Sequence, residues 1–119
     1  MESLDKKTLV RVLIRAKNIL IKNKWVQNTF AMNEKGHDVD PYDASACSFC
    51  LEGAIIRAKH EINPKLGNYL FTTFTDHYIS KITNDKYKSL LKYNDSHITT
   101  KKEAVETLKN MAAHYKAQL

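Results

Sequence analysis

The hydrophobic pattern of residues 4–22 predicts an amphipathic first helix. Ser3 is a suitable N-cap for it, because a serine hydroxyl accepts a hydrogen bond from an amide of the first turn. Arg11, Arg15 and Lys22 share the opposite, polar face. The apolar positions recur at spacings of three and four residues and are Leu9, Leu13, Ala16 and Leu20, flanked by Val12 and Ile19.

The next segment, residues 23–39, changes to aromatic and β-branched residues. A turn sequence, Asn33–Gly36, interrupts it and supplies a glycine that tolerates positive φ. We predict a small β-hairpin that pairs the residues around Phe30 with those around Val39.

A central helix is predicted over residues 41–61. Asp40 is placed to cap it and Pro41 fits the first helical position, although a start capped by Asp43 after a short turn is equally consistent. The helix should end before Pro64, because a residue that precedes proline is disfavoured in the α conformation. One side of this helix would carry Cys47, Cys50, Leu51, Ala54 and Ala58.

The C-terminal half predicts three further helices. Residues 66–82 combine strand-like composition with an apolar spacing of four, which favours a helix, and residues 87–91 suggest a short one. Residues 93–96 have loop composition. Thr100 and Glu103 form a capping box that opens the last helix. We therefore predict a mainly α fold, a compact bundle of four to five helices with a small β-hairpin between the first two. The central helix should pack against the first and last helices.

Composition is consistent with one helical domain over residues 1–119. The chain is 43% hydrophobic and 27% charged, and only three glycines and two prolines interrupt it. No apolar run approaches the roughly 20 residues that a membrane span needs, so no membrane partner is expected. The N-terminus lacks the features of a signal peptide, which predicts a cytoplasmic protein with two free thiols.

Charge is unevenly distributed along the chain, whose formal net charge is +6. Lysine and arginine predominate in residues 1–24 and 81–102, whereas acids predominate in residues 34–61. The outer segments could bind an anionic partner, although a solvated lysine-rich surface explains the same pattern.

The Cys47-x-x-Cys50 spacing raises the question of metal or thiol chemistry. A structural zinc site needs four ligands and no second pair is present, so no metal or cofactor is predicted. A cysteine-dependent enzyme would use Cys47 or Cys50 as nucleophile with His97 and Asp95 as partners. No glycine-rich oxyanion loop flanks the cysteines, which favours a non-enzymatic protein.

Two short motifs are the most specific of a series that runs from Trp25 to Val105: Cys-x-x-Gly-Ala at 50–54 and Tyr-Asn-Asp at 93–95. With them the chain resembles a family of small bacterial and phage proteins, known only as a domain of unknown function. The resemblance implies that Cys50, Gly53, Asn94 and Asp95 lie near one another in the fold. Together they would form either a small polar pocket or a packing contact.

Three functional hypotheses follow. The first is a non-enzymatic protein-binding module, an accessory protein of a phage or mobile element that inhibits a host defence nucleoprotein complex. The second is nucleic-acid binding through Arg11, Arg15, Lys22 and the lysines of residues 81–102. The third is the cysteine-dependent enzyme. The oligomeric state is left open.

Overall fold

The computed structural model describes residues 4–119, and most of this range is helical. This confirms the predicted mainly α fold. The helices are α1 (Lys6–Lys22), α2 (Leu51–Ile62), α3 (Asn68–Ile82), α4 (Leu90–Ser96) and α5 (Lys101–Lys116). The strands are β1 (Lys24–Trp25), β2 (Ala31–Met32) and β3 (Ser48–Phe49).

Helix α1 makes the most extensive packing contacts of any element in the described range. Its predicted apolar row is completely buried, and it packs most extensively against α5 and then against α2. The predicted packing of α2 against α1 is therefore confirmed, but the second main helical neighbour of α2 is α4 rather than α5. Asp5 caps α1 by accepting a hydrogen bond of 2.7 Å from the Thr8 amide, whereas the predicted cap, Ser3, lies outside the described residues.

A three-stranded mixed sheet joins α1 to α2. Its strand order is β1-β3-β2, with β1 parallel and β2 antiparallel to β3. The predicted hairpin is present at its edge, because the Val39 amide donates to the Ala31 carbonyl at 3.1 Å and Met32 bridges Asp38. The main partner of β2, however, is β3, which the sequence pattern assigned to a helix.

The prediction of one helix over residues 41–61 is wrong in its first half. Asp40 begins a turn, closed by a 2.9 Å hydrogen bond from the Asp43 amide, and a second turn follows. Residues 48–49 then form the central strand, where both neighbouring strands take up their backbone hydrogen bonds. Helix α2 begins only at Leu51, and its end at Ile62 agrees with the predicted stop before Pro64.

The C-terminal helices largely follow their sequence signals. Helix α3 confirms the helix predicted over residues 66–82, and the Thr100 hydroxyl accepts from the Glu103 amide at 3.2 Å as the capping box requires. The loop predicted at residues 93–96 is wrong, because these residues complete α4. Ser89 caps α4 by accepting a hydrogen bond from the amide of Lys92.

None of the helices in the described range is both long enough and apolar enough to cross a membrane.

Candidate functional site

Asn94 lies at the centre of a buried junction between α4, β1 and the start of α2. Its side chain is completely buried, and all of its hydrogen-bonding groups are used. The Oδ1 atom accepts from Trp25 Nε1 at 2.7 Å and from the Leu51 amide at 3.0 Å. The Nδ2 group donates to the Val26 carbonyl at 3.2 Å and to Asp95 Oδ1 at 2.8 Å. A single amide thus joins three elements distant in sequence.

Neighbouring contacts fasten the loop after β1 to α4. Asp95 Oδ1 also accepts a 2.9 Å hydrogen bond from the amide of Asn28, which adopts a positive φ of 62°. The side-chain amide of Gln27 donates to the carbonyls of Asn94 and Ile98 at 3.2 and 2.8 Å. These bonds hold α4 and the loop in one arrangement.

Gly53 allows α2 to approach the residue that precedes β2. A Cβ atom at Gly53 would lie 1.9 Å from the Phe30 carbonyl oxygen, so only glycine fits. The same carbonyl accepts a 3.1 Å hydrogen bond from the Cys50 amide. The Cys50 sulfur caps α2 by accepting from the Gly53 amide at 3.2 Å.

The two cysteines do not share a helix side as predicted, because Cys47 lies in the segment before β3 and Cys50 is the cap of α2. Cys50 is completely buried, and this burial raises the pKa of its thiol to about 12. The thiol is therefore protonated at neutral pH, which opposes a nucleophilic role.

His97, the histidine predicted to assist a cysteine nucleophile, is exposed and contacts two tyrosine rings. Its ring stacks on Tyr93 at a centroid distance of 4.8 Å and also contacts the ring of Tyr87.

The four residues linked by the Cys-x-x-Gly-Ala and Tyr-Asn-Asp motifs do come together around the amide of Leu51. Cys50, Gly53 and Asn94 are buried, and Asp95 is half-buried. Of the two forms that the resemblance allowed, the arrangement is a packed junction and not an open pocket. We call it the Asn94 junction.

The outward side of α1 has the opposite character. From Arg11 onwards its exposed residues follow spacings of three and four and form one continuous stripe, which we call the α1 outer face. Two isoleucines within it, Ile14 and Ile21, are 38% and 51% exposed. The α1 outer face consists of Arg11, Ile14, Arg15, Asn18, Ile21 and Lys22.

Beside this face lies a cleft of about 390 Å³ between α1, α2 and the segment before α2. We call it the α1–α2 cleft. Three apolar residues, Ile19, Ala46 and Phe49, contribute to its lining. The polar lining residues are Arg15, Asn18, Lys22, Asn23, Arg57 and Glu61. Three cations face one carboxylate here, so the cleft carries a net positive charge.

Arg57 is held firmly in this cleft. Its Nη1 atom donates to the carbonyls of Pro41 and Asp43, each at 2.9 Å. Its guanidinium lies over the Phe49 ring, 5.8 Å from the centroid, in a cation–π contact. Glu61 bridges two arginines, with Oε2 3.4 Å from Arg57 Nε and Oε1 3.3 Å from Arg15 Nη1.

A second depression continues from the cleft past the end of α1. It shares Lys22 with the cleft and adds Lys24 and Lys101. Lys101 Nζ donates to the Ile21 carbonyl at 2.9 Å, so one lysine of the basic segment 81–102 joins the cations of α1. Lys81 and Lys92 of that segment lie instead on α3 and α4.

Sequence reasoning identified Arg15 and Lys22 but missed Arg57 and Glu61. The i, i+4 spacing of Arg57 and Glu61 was visible as a pattern of a helical ion pair. Nothing in the sequence indicates that the same carboxylate reaches Arg15, 46 positions away.

Within residues 4–119, no group of three or more His, Cys, Asp and Glu side chains is placed to hold a metal ion. The model of a family of unknown function, DUF6197, matches residues 5–114. No curated protein and no solved structure matches the chain.

Proposed function

The chain belongs to the DUF6197 family of unknown function, and we propose that it is a non-enzymatic protein-binding module of the cytoplasm. The α1 outer face and the α1–α2 cleft form its binding surface. The partner is a protein whose own surface is acidic and includes apolar side chains.

The observation that carries this proposal is the exposure of Ile14 and Ile21 among the cations of α1. Burying apolar surface contributes about 25 cal/mol per Å² to association. A phosphate backbone offers little apolar surface in return, whereas a protein can cover the isoleucines while its acids face Arg15 and Lys22. The mixed composition therefore favours a protein over a nucleic acid.

Electrostatics supports the same partner chemistry. The formal net charge is +6, and the cleft concentrates cations on one side of α1. Complementary charge accelerates encounter and excludes like-charged partners, while the apolar residues supply affinity.

The test is affinity capture from a nuclease-treated host lysate with a charge-reversal variant, Arg15→Glu with Lys22→Glu. The matched control, Lys65→Glu with Lys81→Glu, makes the same charge change at exposed positions outside the cleft. We expect one protein to be recovered by the wild type and by the control and lost from the charge-reversal variant. Recovery of the same proteins by all three would refute the proposal.

Nucleic-acid binding is the second candidate, favoured by the approach of Lys101 to Lys22 and Lys24. It is tested by fluorescence anisotropy with a labelled DNA duplex and a single-stranded RNA across a salt series. Phosphate-driven binding weakens linearly on a logarithmic salt scale. If binding shows that slope and is abolished by Arg15→Glu with Lys22→Glu, nucleic acid and not a protein is the partner. If no binding is seen at low salt, the nucleic-acid hypothesis is wrong.

We propose further that the module is an accessory protein of a phage or mobile element and inhibits a host defence nucleoprotein complex. The small size, the basic surface and the resemblance to bacterial and phage proteins support this role. Expression in cells that carry such a defence should raise the plating efficiency of a targeted phage. The Arg15→Glu, Lys22→Glu variant should leave the plating efficiency unchanged. Equal plating efficiencies with the wild type and the variant would contradict the proposed inhibitory role.

A further inference from the structure

The bridge made by Glu61 marks a position where the α1–α2 cleft accepts a carboxylate. Each carboxylate oxygen faces a different arginine, Oε1 at 3.3 Å from Arg15 and Oε2 at 3.4 Å from Arg57. A bound acidic side chain could accept charge-assisted hydrogen bonds from the same two guanidinium groups.

Glu61 occupies this position weakly. Both ion pairs are long, and the side chains of Arg15 and Glu61 are 49% and 37% exposed. Ion pairs at such exposure contribute little to stability, because water and salt screen them. A competing carboxylate would therefore displace Glu61 at small cost.

Two features suit the cleft to binding an external carboxylate. Arg57 is already oriented by two backbone carbonyls and the Phe49 ring, so little side-chain freedom is lost on binding. Lys22 lines the same cleft and has no place in the Glu61 bridge, so it remains available to a ligand entering from solvent.

We propose that the α1–α2 cleft is a receptor for an Asp or Glu side chain of the protein partner, and that Glu61 occupies this position until the partner's carboxylate replaces it. The inference rests on the proposed binding function and names the group that the cleft recognises. Glu61 thereby lowers the affinity for weakly acidic surfaces and raises the selectivity for a partner that places a carboxylate between the two arginines.

The experiment titrates the full-length protein with an end-blocked triglutamate peptide and follows the Nε–Hε NMR signals of Arg15 and Arg57. Glu61→Gln keeps the side-chain shape but removes the competing charge. We expect it to bind the peptide about fivefold more tightly than the wild type, which corresponds to the upper value of an exposed ion pair. Arg15→Gln should abolish the peptide-induced shift of the Arg57 signal, and the control Lys81→Gln should leave affinity unchanged.

Unchanged or weaker peptide binding by Glu61→Gln, with an unaltered unfolding temperature, would overturn the inference. Loss of partner capture by Arg15→Glu with Lys22→Glu would in that case leave the proposed function standing. A parallel titration with inorganic phosphate tests whether the cleft prefers a phosphate group to a carboxylate. If Glu61→Gln bound phosphate but not the peptide more tightly than the wild type does, the proposed carboxylate receptor would be wrong. That result would instead favour a nucleic-acid partner.

Discussion

The Asn94 junction and the α1–α2 cleft use polar side chains in opposite ways. Asn94 is completely buried, and four hydrogen bonds satisfy its amide. In the cleft, three cations lie beside one carboxylate, which pairs with only two of them, and two isoleucines on the α1 outer face are exposed. The first region is closed to any ligand, whereas the second has charge and apolar surface still open to one.

This difference separates the two short motifs from the proposed binding surface. The short motifs at 50–54 and 93–95 contribute to the Asn94 junction, where their polar groups bind one another and the backbone. The residues of the proposed binding surface lie outside both short motifs, because such a surface needs a chemical composition and not a fixed spacing. The polar residues of these two motifs therefore contribute to packing within the Asn94 junction.

Asn94→Ala is the strongest way to test the junction. It leaves the Trp25 indole N–H, the Leu51 amide and the Val26 carbonyl without their partner, and each unpaired buried group costs about 1–3 kcal/mol. We expect a loss of about 3–4 kcal/mol in the free energy of unfolding, measured by urea titration with the fluorescence of the single Trp. The exposed Lys92→Ala on the same helix is the control and should change stability by less than about 0.5 kcal/mol. Equal effects would contradict a structural role for Asn94.

The pair Gly53→Ala and Gly67→Ala tests the close approach of α2 to Phe30. At Gly53 the new methyl would meet backbone, which cannot move aside, and we expect a loss of about 2–3 kcal/mol. At Gly67 it would meet the Tyr69 ring, which is 66% exposed and free to rotate, so the loss should stay below about 1 kcal/mol. Thermal unfolding of both variants measures the difference, and similar melting temperatures would contradict it.

Cys50 provides a pH test of the same region. Its pKa is raised from 9.0 to about 12 in the folded protein, so ionisation of the thiol favours the unfolded chain. The contribution of the protonated Cys50 thiol to the free energy of unfolding is therefore fully present below pH 9 and is lost as pH rises towards 12. Between pH 8 and 10 the wild type should therefore lose about 1 kcal/mol more stability than Cys50→Ala. Urea titrations at both pH values measure this, and parallel losses would show that the thiol is not protected by burial.

Thiol labelling at pH 8 complements that measurement. The half-buried Cys47 should react in the native protein, and Cys50 only after unfolding. Rapid labelling of Cys50 in the native state would reopen the hypothesis of a cysteine-dependent enzyme.

Local signals predicted the helices that depend on their own side chains. The apolar row of α1, the spacing in residues 66–82 and the Thr100 capping box all act within a few residues, and all three elements are present. The end of α2 before Pro64 has the same local cause.

Two local predictions failed where distant backbone competed for the same residues. Asp40 and Pro41 resemble a helix start, but residues 48–49 are taken up as the central strand by β1 and β2. Residues 93–96 resemble a loop, but in α4 the side chains of Asn94 and Asp95 bond to the chain near β1 instead of to their own backbone.

The sequence by itself determined the mainly α class, the amphipathic α1 and its basic outward side, because these depend on composition and on periodicity within one helix. Only the tertiary structure decided that Asn94 is a buried joint and that Glu61 of α2 meets Arg15 of α1. The Glu61–Arg15 and Asn94–Trp25 contacts join residues 46 and 69 positions apart, and no local spacing encodes which distant side chains tertiary packing brings together.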